Sequence, residues 1–392
     1  MGDDAVARRG PASLVTSSLH TARPPVTGVR SLSSPMLHDH HNLIPKEGTH
    51  PMTFSYRRAL GVAVVAAAMC AVPLVAQSAQ GQGPQLTVGG LVYTQYLYQL
   101  KDSVNHFNSF DITRAYVNVL GKFSGGVGTR VTLDLYRNAD GSLGYRLKYA
   151  FATYTPQGSP LTFKIGAIHT PWLDWEEALW DYRMQGQMAM ERAGYLSASD
   201  FGAGVDGKWG PDKVNFQLTV VNGESYKSGE VGQGKDAMAR ISVRVLDTDD
   251  SSRVGGLRVT GYAGYGRAAA GAERNRFLGM VSYHSKHLTL AGEAAAAQSG
   301  PLGATNGHVY SAFGVYKLPD SKFAILSRVD ITHLQAGATD KQTRFIGGVS
   351  YQLSPNWRLL ADWDYANYQT DPLNTANYAT RSQALFQTQF TF

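Results

Sequence analysis

Four basic residues, Arg114, Arg130, Lys148 and Lys164, stand in stretches where alternate positions are apolar: Val117 and Val119, Val131 and Leu133, Leu147 and Tyr149, Phe163 and Ile165. If those apolar residues face one way, the four bases face the other. Between residues 171 and 199 runs a segment rich in acids and indoles, with Trp172, Asp174, Trp175, Glu176, Glu177, Trp180, Asp181, Arg183, Glu191 and Arg192. The chemistry open to such residues is electrostatic rather than bond-making. A basic wall set against Asp174, Glu176, Glu177 and Asp181 across a narrow, low-dielectric gap creates a transverse field that orients dipolar solutes and sorts ions. Arg240, Arg244, Arg258, Arg328, Arg344, Arg358 and Arg381 share the parity of the wall, as do the acids Asp134, Asp206, Glu293, Asp330, Asp362 and Asp364, so the polar face is basic on balance.

Other chemistries find little support. No Ser, His and acid spacing argues for a nucleophilic triad. The histidines lack regular metal-ligand spacing, and the Asp247-Thr248-Asp249-Asp250 run reads as a turn. The Gly-rich stretch 261–266 does not lie between a strand and a helix, so a phosphate-loop reading fails on context. Neither a cofactor nor a resident metal is expected.

The elements that must position these side chains are strands. In the 392 residues, Gly 42, Tyr 21 and Phe 15 go with only 17% charged residues. Period-2 alternation recurs throughout, and helical period is nearly absent. Segments of this kind fall at about 85–98, 110–122, 126–137, 144–155, 160–170, 200–210, 212–223 and 236–247. The others are at about 253–267, 274–286, 287–299, 307–318, 321–336, 341–353, 355–370 and 381–392, sixteen in all. After residue 80 no apolar run reaches the length of about 18 residues that a spanning helix needs. The remaining way to cross a bilayer is a closed barrel, whose segments of about ten residues alternate apolar-out and polar-in. A soluble sandwich shows the same period, so the connections carry the distinction. Short turns such as Ser124-Gly125, Gly210-Pro211-Asp212 and Leu318-Pro319-Asp320 alternate with long gaps at 99–109, 171–199, 224–235 and 371–380. Short turns at one end and long loops at the other are the barrel pattern.

Residues 52–79 read as a secretory leader: Arg57 and Arg58, an apolar run from Ala59 to Ala76, then small residues for cleavage. Residues 1–51 read as a disordered extension or a mis-assigned start, leaving 80–392 as the barrel. The one cysteine, Cys70, falls in the leader. Residues 1–79 hold seven basic and four acidic side chains, leaving 29 against 26. That near balance excludes the clustered basic face of a nucleic-acid binder.

Phe110-Asp111-Ile112-Thr113-Arg114-Ala115-Tyr116 through Gly121-Lys122, Gly166-Ala167-Ile168-His169-Thr170-Pro171-Trp172, Glu191-Arg192, Phe201-Gly202-Ala203-Gly204-Val205-Asp206-Gly207 and Val221-Asn222-Gly223 resemble the phosphate-selective porin O/P family of Gram-negative outer membranes. The stretch 110–223 carries the likeness. The second half follows it in pattern and in ending on Phe392, which resembles the terminal aromatic read by the barrel-assembly machinery. The resemblance implies a 16-stranded antiparallel transmembrane β-barrel in outer-membrane lipid, commonly a homotrimer, with the third long loop (171–199) folded into the lumen. It implies passive diffusion of small ions and polar solutes, without catalysis. The alternative is a channel selective for phosphate or other oxyanions, or for oligosaccharides stacking on Trp172, Trp175 and Trp180. The acidic third loop departs from what a phosphate channel wants, because carboxylates repel phosphate.

Overall fold

The computed structural model describes residues 83–268, 271–300 and 305–392. The extension, the leader and Cys70 lie outside the described residues. Sixteen strands make up the fold: β1 (Gln85–Gln99), β2 (Asn108–Lys122), β3 (Val127–Arg137), β4 (Leu143–Tyr154), β5 (Leu161–His169), β6 (Ser199–Trp209), β7 (Val214–Val221) and β8 (Asp236–Leu246) form the first half. The second half comprises β9 (Gly256–Tyr265), β10 (Glu273–His284), β11 (Leu288–Gly300), β12 (Thr305–Lys317), β13 (Phe323–His333), β14 (Gln342–Ser354), β15 (Trp357–Tyr368) and β16 (Ser382–Thr391). Every strand pairs antiparallel with its neighbour in sequence, and β1 pairs with β16 from Leu91↔Thr391 to Gln99↔Gln383, so the sheet closes into a barrel. Closure removes the unpaired edges that lipid could not satisfy. All sixteen expected segments are strands, with ends moved by a few residues.

The outer surface explains why the chain alternates. Ile165 is 57% exposed and Val281 55%, and Ile241, Val259, Leu290, Ile325 and Val349 are exposed with them. An apolar belt of this extent on a water-soluble protein would drive association; against acyl chains it is the expected wall. The short turns hold the register. Gly126 adopts φ 79° where an added Cβ would sit 2.1 Å from the Thr155 carbonyl oxygen, so only glycine fits this turn.

The interior departs from the simple apolar-out, polar-in pattern. Inward positions of β10 to β15 include Leu278, Met280, Val309, Phe313, Val315, Leu326, Ile346 and Leu360, all buried. They form one cluster with Trp172, Leu173, Trp175, Leu179, Trp180, Met188 and Met190 of the segment joining β5 to β6. That segment carries α1 (Leu173–Trp180) and α2 (Ala189–Arg192). Its three indoles are at most 1% exposed. The hydrophobic effect therefore works on both faces of this half of the wall, lipid outside and the packed segment inside. A last helix, α3 (Asp371–Ala376), lies in the connection before β16.

Candidate functional site

The β5–β6 segment is tied to the far wall by polar contacts as well. Trp172 Nε1 donates to Glu293 Oε2 on β11 (3.1 Å), and the Tyr182 and Ser350 hydroxyls share a 2.7 Å bond. Gln185 donates to Asp364 on β15 (3.3 Å), Arg192 pairs with Asp330 on β13 (2.9 Å), and Gln387 of β16 donates to the Met184 carbonyl (2.9 Å). At the C-terminal end of α1, Asp181 takes φ 56°, and its carboxylate meets Arg358 of β15 at 3.1 Å and Lys317 of β12 at 3.6 Å.

The eleven basic residues expected inside divide by partner, and Arg381, just before β16, hydrogen-bonds Asn374 and the Tyr365 hydroxyl and pairs with no carboxylate among the described residues. Lys164 pairs with Asp206 (2.8 Å), Arg328 with Asp330 (2.8 Å), Arg344 with Asp364 (2.7 Å), Arg358 with Asp181, and Arg244 with Asp247 (3.4 Å). Arg258 lies 4.0 Å from Asp212 and donates to its backbone carbonyl at 2.8 Å. The other four form no ion pair with a carboxylate among the described residues. Arg130 donates to Thr132 (2.9 Å) and Asn118 (3.2 Å) and meets His169 Nε2 at 3.0 Å. Arg240 donates to Asn215 (2.7 Å) and to the Pro171 carbonyl (3.1 Å), lying 4.3 Å over the Trp175 ring. Arg114 lies 5.0 Å over the Tyr116 ring. Lys148 bonds the Tyr116 hydroxyl and sits within 5.9 Å of the Tyr116, Tyr149 and Tyr226 rings. Such rings hold a cation without neutralising it.

Tyr149 corrects the parity reading. It was expected to face lipid with Leu147, yet it is buried and stacks 4.1 Å from His169. The cause is a bulge: Thr132 pairs with Tyr149 and Leu133 with Leu147, leaving Lys148 as the extra residue. A bulge re-aims one side chain, and here it turns both Lys148 and Tyr149 inward.

The loop acids also divide. Asp174 pairs with Arg253 at 2.6 Å and lies 4.0 Å from His169. Burial pushes its carboxyl up, but His169 and Arg253 outweigh burial and hold it well below the usual range. Glu177 pairs with Arg183 at 2.8 Å, and Arg183 also holds Glu191 at 2.6 Å. Burial again raises Glu177, and Arg183, then Lys148 and Arg114, bring it below its ordinary value. Glu177 is thus the loop acid that faces the unpaired bases. Glu176 is not: it is 0% exposed, with neither carboxylate oxygen hydrogen-bonded to a donor among the described residues. Burial, and next the Glu293 carboxylate, push it well above the usual range. Neighbours on a helix point about 100° apart, which sends Glu176 to β11 and Glu177 to the opposite side. Of the four acids expected to oppose the basic wall, Glu176 and Asp181 are turned to the packed half, which leaves Glu177 and Asp174. The buried indoles of Trp172, Trp175 and Trp180 pin the segment and present no face to a sugar.

Arg253 and the tyrosines at 116, 149 and 226 were missed from the sequence. Arg253 opens the expected strand 253–267 but lies just before β9 in the structure, Tyr149 was placed on the lipid face, and Tyr116 and Tyr226 carry no charge that would mark them. Among the described residues no group of three or more His, Cys, Asp or Glu could hold a metal ion.

A closed sixteen-stranded barrel with an apolar belt, a charged interior and a long segment packed within defines the class: the chain is an outer-membrane porin. Residues 91–256, from β1 to the start of β9, match the family described as phosphate-selective porin O and P. The resemblance read from 110–223 therefore holds over most of the first half. Among solved structures, a loop-deleted form of OmpT, an outer membrane protein of Vibrio cholerae, is similar at 14% identity with a TM-score of 0.57, covering 79% of this chain and all of that one. The in-vitro folded trimer form of OmpT is similar at 12% and 0.56, with 79% and 100% covered. A mutant of Rh. blastica porin is similar at 13% and 0.50, again with 79% and 100% covered. At these identities the likeness speaks for the fold alone. Among curated proteins none matches the chain.

Proposed function

We propose that small polar solutes diffuse passively along the inner face of β2 to β8, with a modest preference for anions, and that the β5–β6 segment narrows the passage. The observation that carries this is the group Arg114, Arg130, Lys148 and Arg240, inward bases without a carboxylate partner among the described residues. Uncompensated positive charge in a narrow, partly desolvated passage raises the local anion concentration. Six further inward bases, Lys164, Arg244, Arg258, Arg328, Arg344 and Arg358, are neutralised in place and add little to the field. Single-channel reversal potentials across a potassium chloride gradient test the reading, and a cation-selective channel overturns it.

A second reading, selectivity for phosphate or another oxyanion, draws support from the compensation of Asp174 by Arg253 and of Glu177 by Arg183, which weakens their repulsion of phosphate. Chloride conductance that saturating phosphate blocks would favour it over general diffusion; equal linear conductance in both salts would sink it.

Assembly as a homotrimer fits the trimer form of the similar OmpT barrel. Export to the periplasm through the leader at 52–79, processing to 80–392 and recognition of Phe392 by assembly machinery complete the proposal. Mass spectrometry of the membrane-extracted chain tests the cleavage site.

A further inference from the structure

At the end of the barrel carrying the long connections lies a second chamber, apart from the unpaired bases. A half-enclosed cavity of about 290 Å³ opens there, lined by Asp200, Glu224, Asp236, Tyr262, Arg274 and Arg276, with the later part of the β5–β6 segment forming one side. Its volume is at the small end for small-molecule sites. The charged groups deep in it are already engaged, whereas Lys227 at its exposed mouth lies 5.8 Å over the Tyr226 ring. Arg274 bridges Glu224 at 3.0 Å and Asp236 at 2.9 Å. Asp200 accepts from the backbone N–H groups of Phe201 (2.7 Å), Gly223 (2.7 Å) and Ser225 (3.2 Å). Arg276 spends its donors on the backbone carbonyls of Asn275, Gln298 and Tyr195, and lies 4.8 Å over the Tyr195 ring.

Two polar atoms are left over. The Tyr262 hydroxyl, on a side chain only 6% exposed, and Glu224 Oε2 are both buried without a hydrogen-bond partner among the described residues. Orphans of this kind cost free energy unless something fills them. Glycines keep the space clear. A Cβ on Gly264 would lie 2.7 Å from the Tyr262 hydroxyl, one on Gly223 2.0 Å from an Arg274 nitrogen, and one on Gly266 1.9 Å from an Asp236 oxygen.

We propose that this chamber is a binding subsite for a neutral polyhydroxylated solute, of the size of one or two sugar rings, on its way to the constriction. A charged ligand would have to break into these contacts, because Arg274 is shared by two carboxylates and Asp200 and Arg276 spend their hydrogen bonds on backbone groups. Hydroxyl groups suit the two orphans: one O–H donates to Glu224 Oε2, and another exchanges a bond with the Tyr262 hydroxyl.

The inference needs an open channel but not the anion preference, and the test separates the two. Ion current through the membrane-extracted protein in planar bilayers is titrated with maltose, added to each side in turn. Saturable block from one side is expected. Tyr262→Phe and Glu224→Gln, each read against its own sugar-free current, should weaken half-maximal block roughly three- to tenfold, the worth of one hydrogen bond. No block, or block that neither substitution alters, overturns the subsite. So does equal block by free arginine with the same dependence on both substitutions, because that would make the site one for cations. A channel that conducts anions but ignores maltose would leave the porin reading intact and remove only this one.

Discussion

Trp172 of the inner segment gives its indole N–H to Glu293 of β11 at 3.1 Å, and the acceptor belongs to a carboxyl pair that Glu176 completes from α1. The pair lies in the apolar half of the lumen, where an ionised carboxylate without a cation is costly.

Stability should therefore fall as pH rises through the neutral range. Glu176 has a folded-state pKa raised above its ordinary value of 4.5 by burial and by Glu293. Its contribution is full below that ordinary value and is lost from there upward to the folded pKa. Asp174 and Glu177 are shifted the other way, so their contributions fade only on the acid side. Heat-induced unfolding of the detergent-solubilised barrel should come at a lower temperature at pH 8 than at pH 5. Glu176→Gln should flatten that slope, and parallel slopes in the two proteins would refute the assignment.

Selectivity should follow the unpaired bases and not the total number of bases. A unit charge about 8 Å from the ion path, at an effective dielectric near ~40, is worth about 1 kcal/mol, roughly fivefold in an ion ratio. Arg130→Glu together with Lys148→Gln should move the reversal potential toward cations by at least that factor. Lys164→Gln should move it little, because Lys164 is matched by Asp206 at 2.8 Å. Equal effects from the two changes would mean that the pairing does not shape the field.

The inner segment should loosen when its indole anchor goes. Trp180 is fully buried, 5.3 Å from the Phe313 ring and 6.1 Å from Tyr182. Trp180→Ala opens a cavity worth about 3–5 kcal/mol in a packed core. The segment rests on the wall rather than forming it, so the barrel should survive while single-channel conductance rises and grows noisier. Unchanged conductance would show that this segment does not set the width of the passage.

Much of this could be read from the chain because lipid imposes a strict rule. Ile165, Val281 and Val349 must face outward wherever their strands run, so the sixteen strands and the turn asymmetry were legible. The rule is silent inside. Val309, Phe313, Leu326 and Ile346 are apolar and inward because Trp172 and Trp180 cover them, and period-2 alternation fades where both faces are greasy. The pairings Lys164–Asp206 and Arg344–Asp364 depend on which residue stands opposite which across neighbouring strands. Parity gives direction but not height, so which bases stay unpaired was hidden. The bulge at Lys148 left no sequence mark, which is why Tyr149 was read on the wrong face.

Closure of the barrel gives the last prediction. Gly90 of β1 donates its N–H to the Phe392 carbonyl at 2.8 Å, and an added Cβ would sit 2.1 Å from the Phe392 ring. Gly90→Ala should push that ring off the seam and lower the yield of folded barrel in detergent. Phe392→Ala removes the obstacle, so the double substitution should refold better than Gly90→Ala alone. In cells the order should reverse if the terminal aromatic is also what the assembly machinery reads: Gly90→Ala keeps Phe392 and should reach the membrane, whereas both Phe392→Ala proteins should accumulate unassembled. Detergent refolding and cellular insertion that fall in the same order across the three variants would reduce Phe392 to a packing role at the seam.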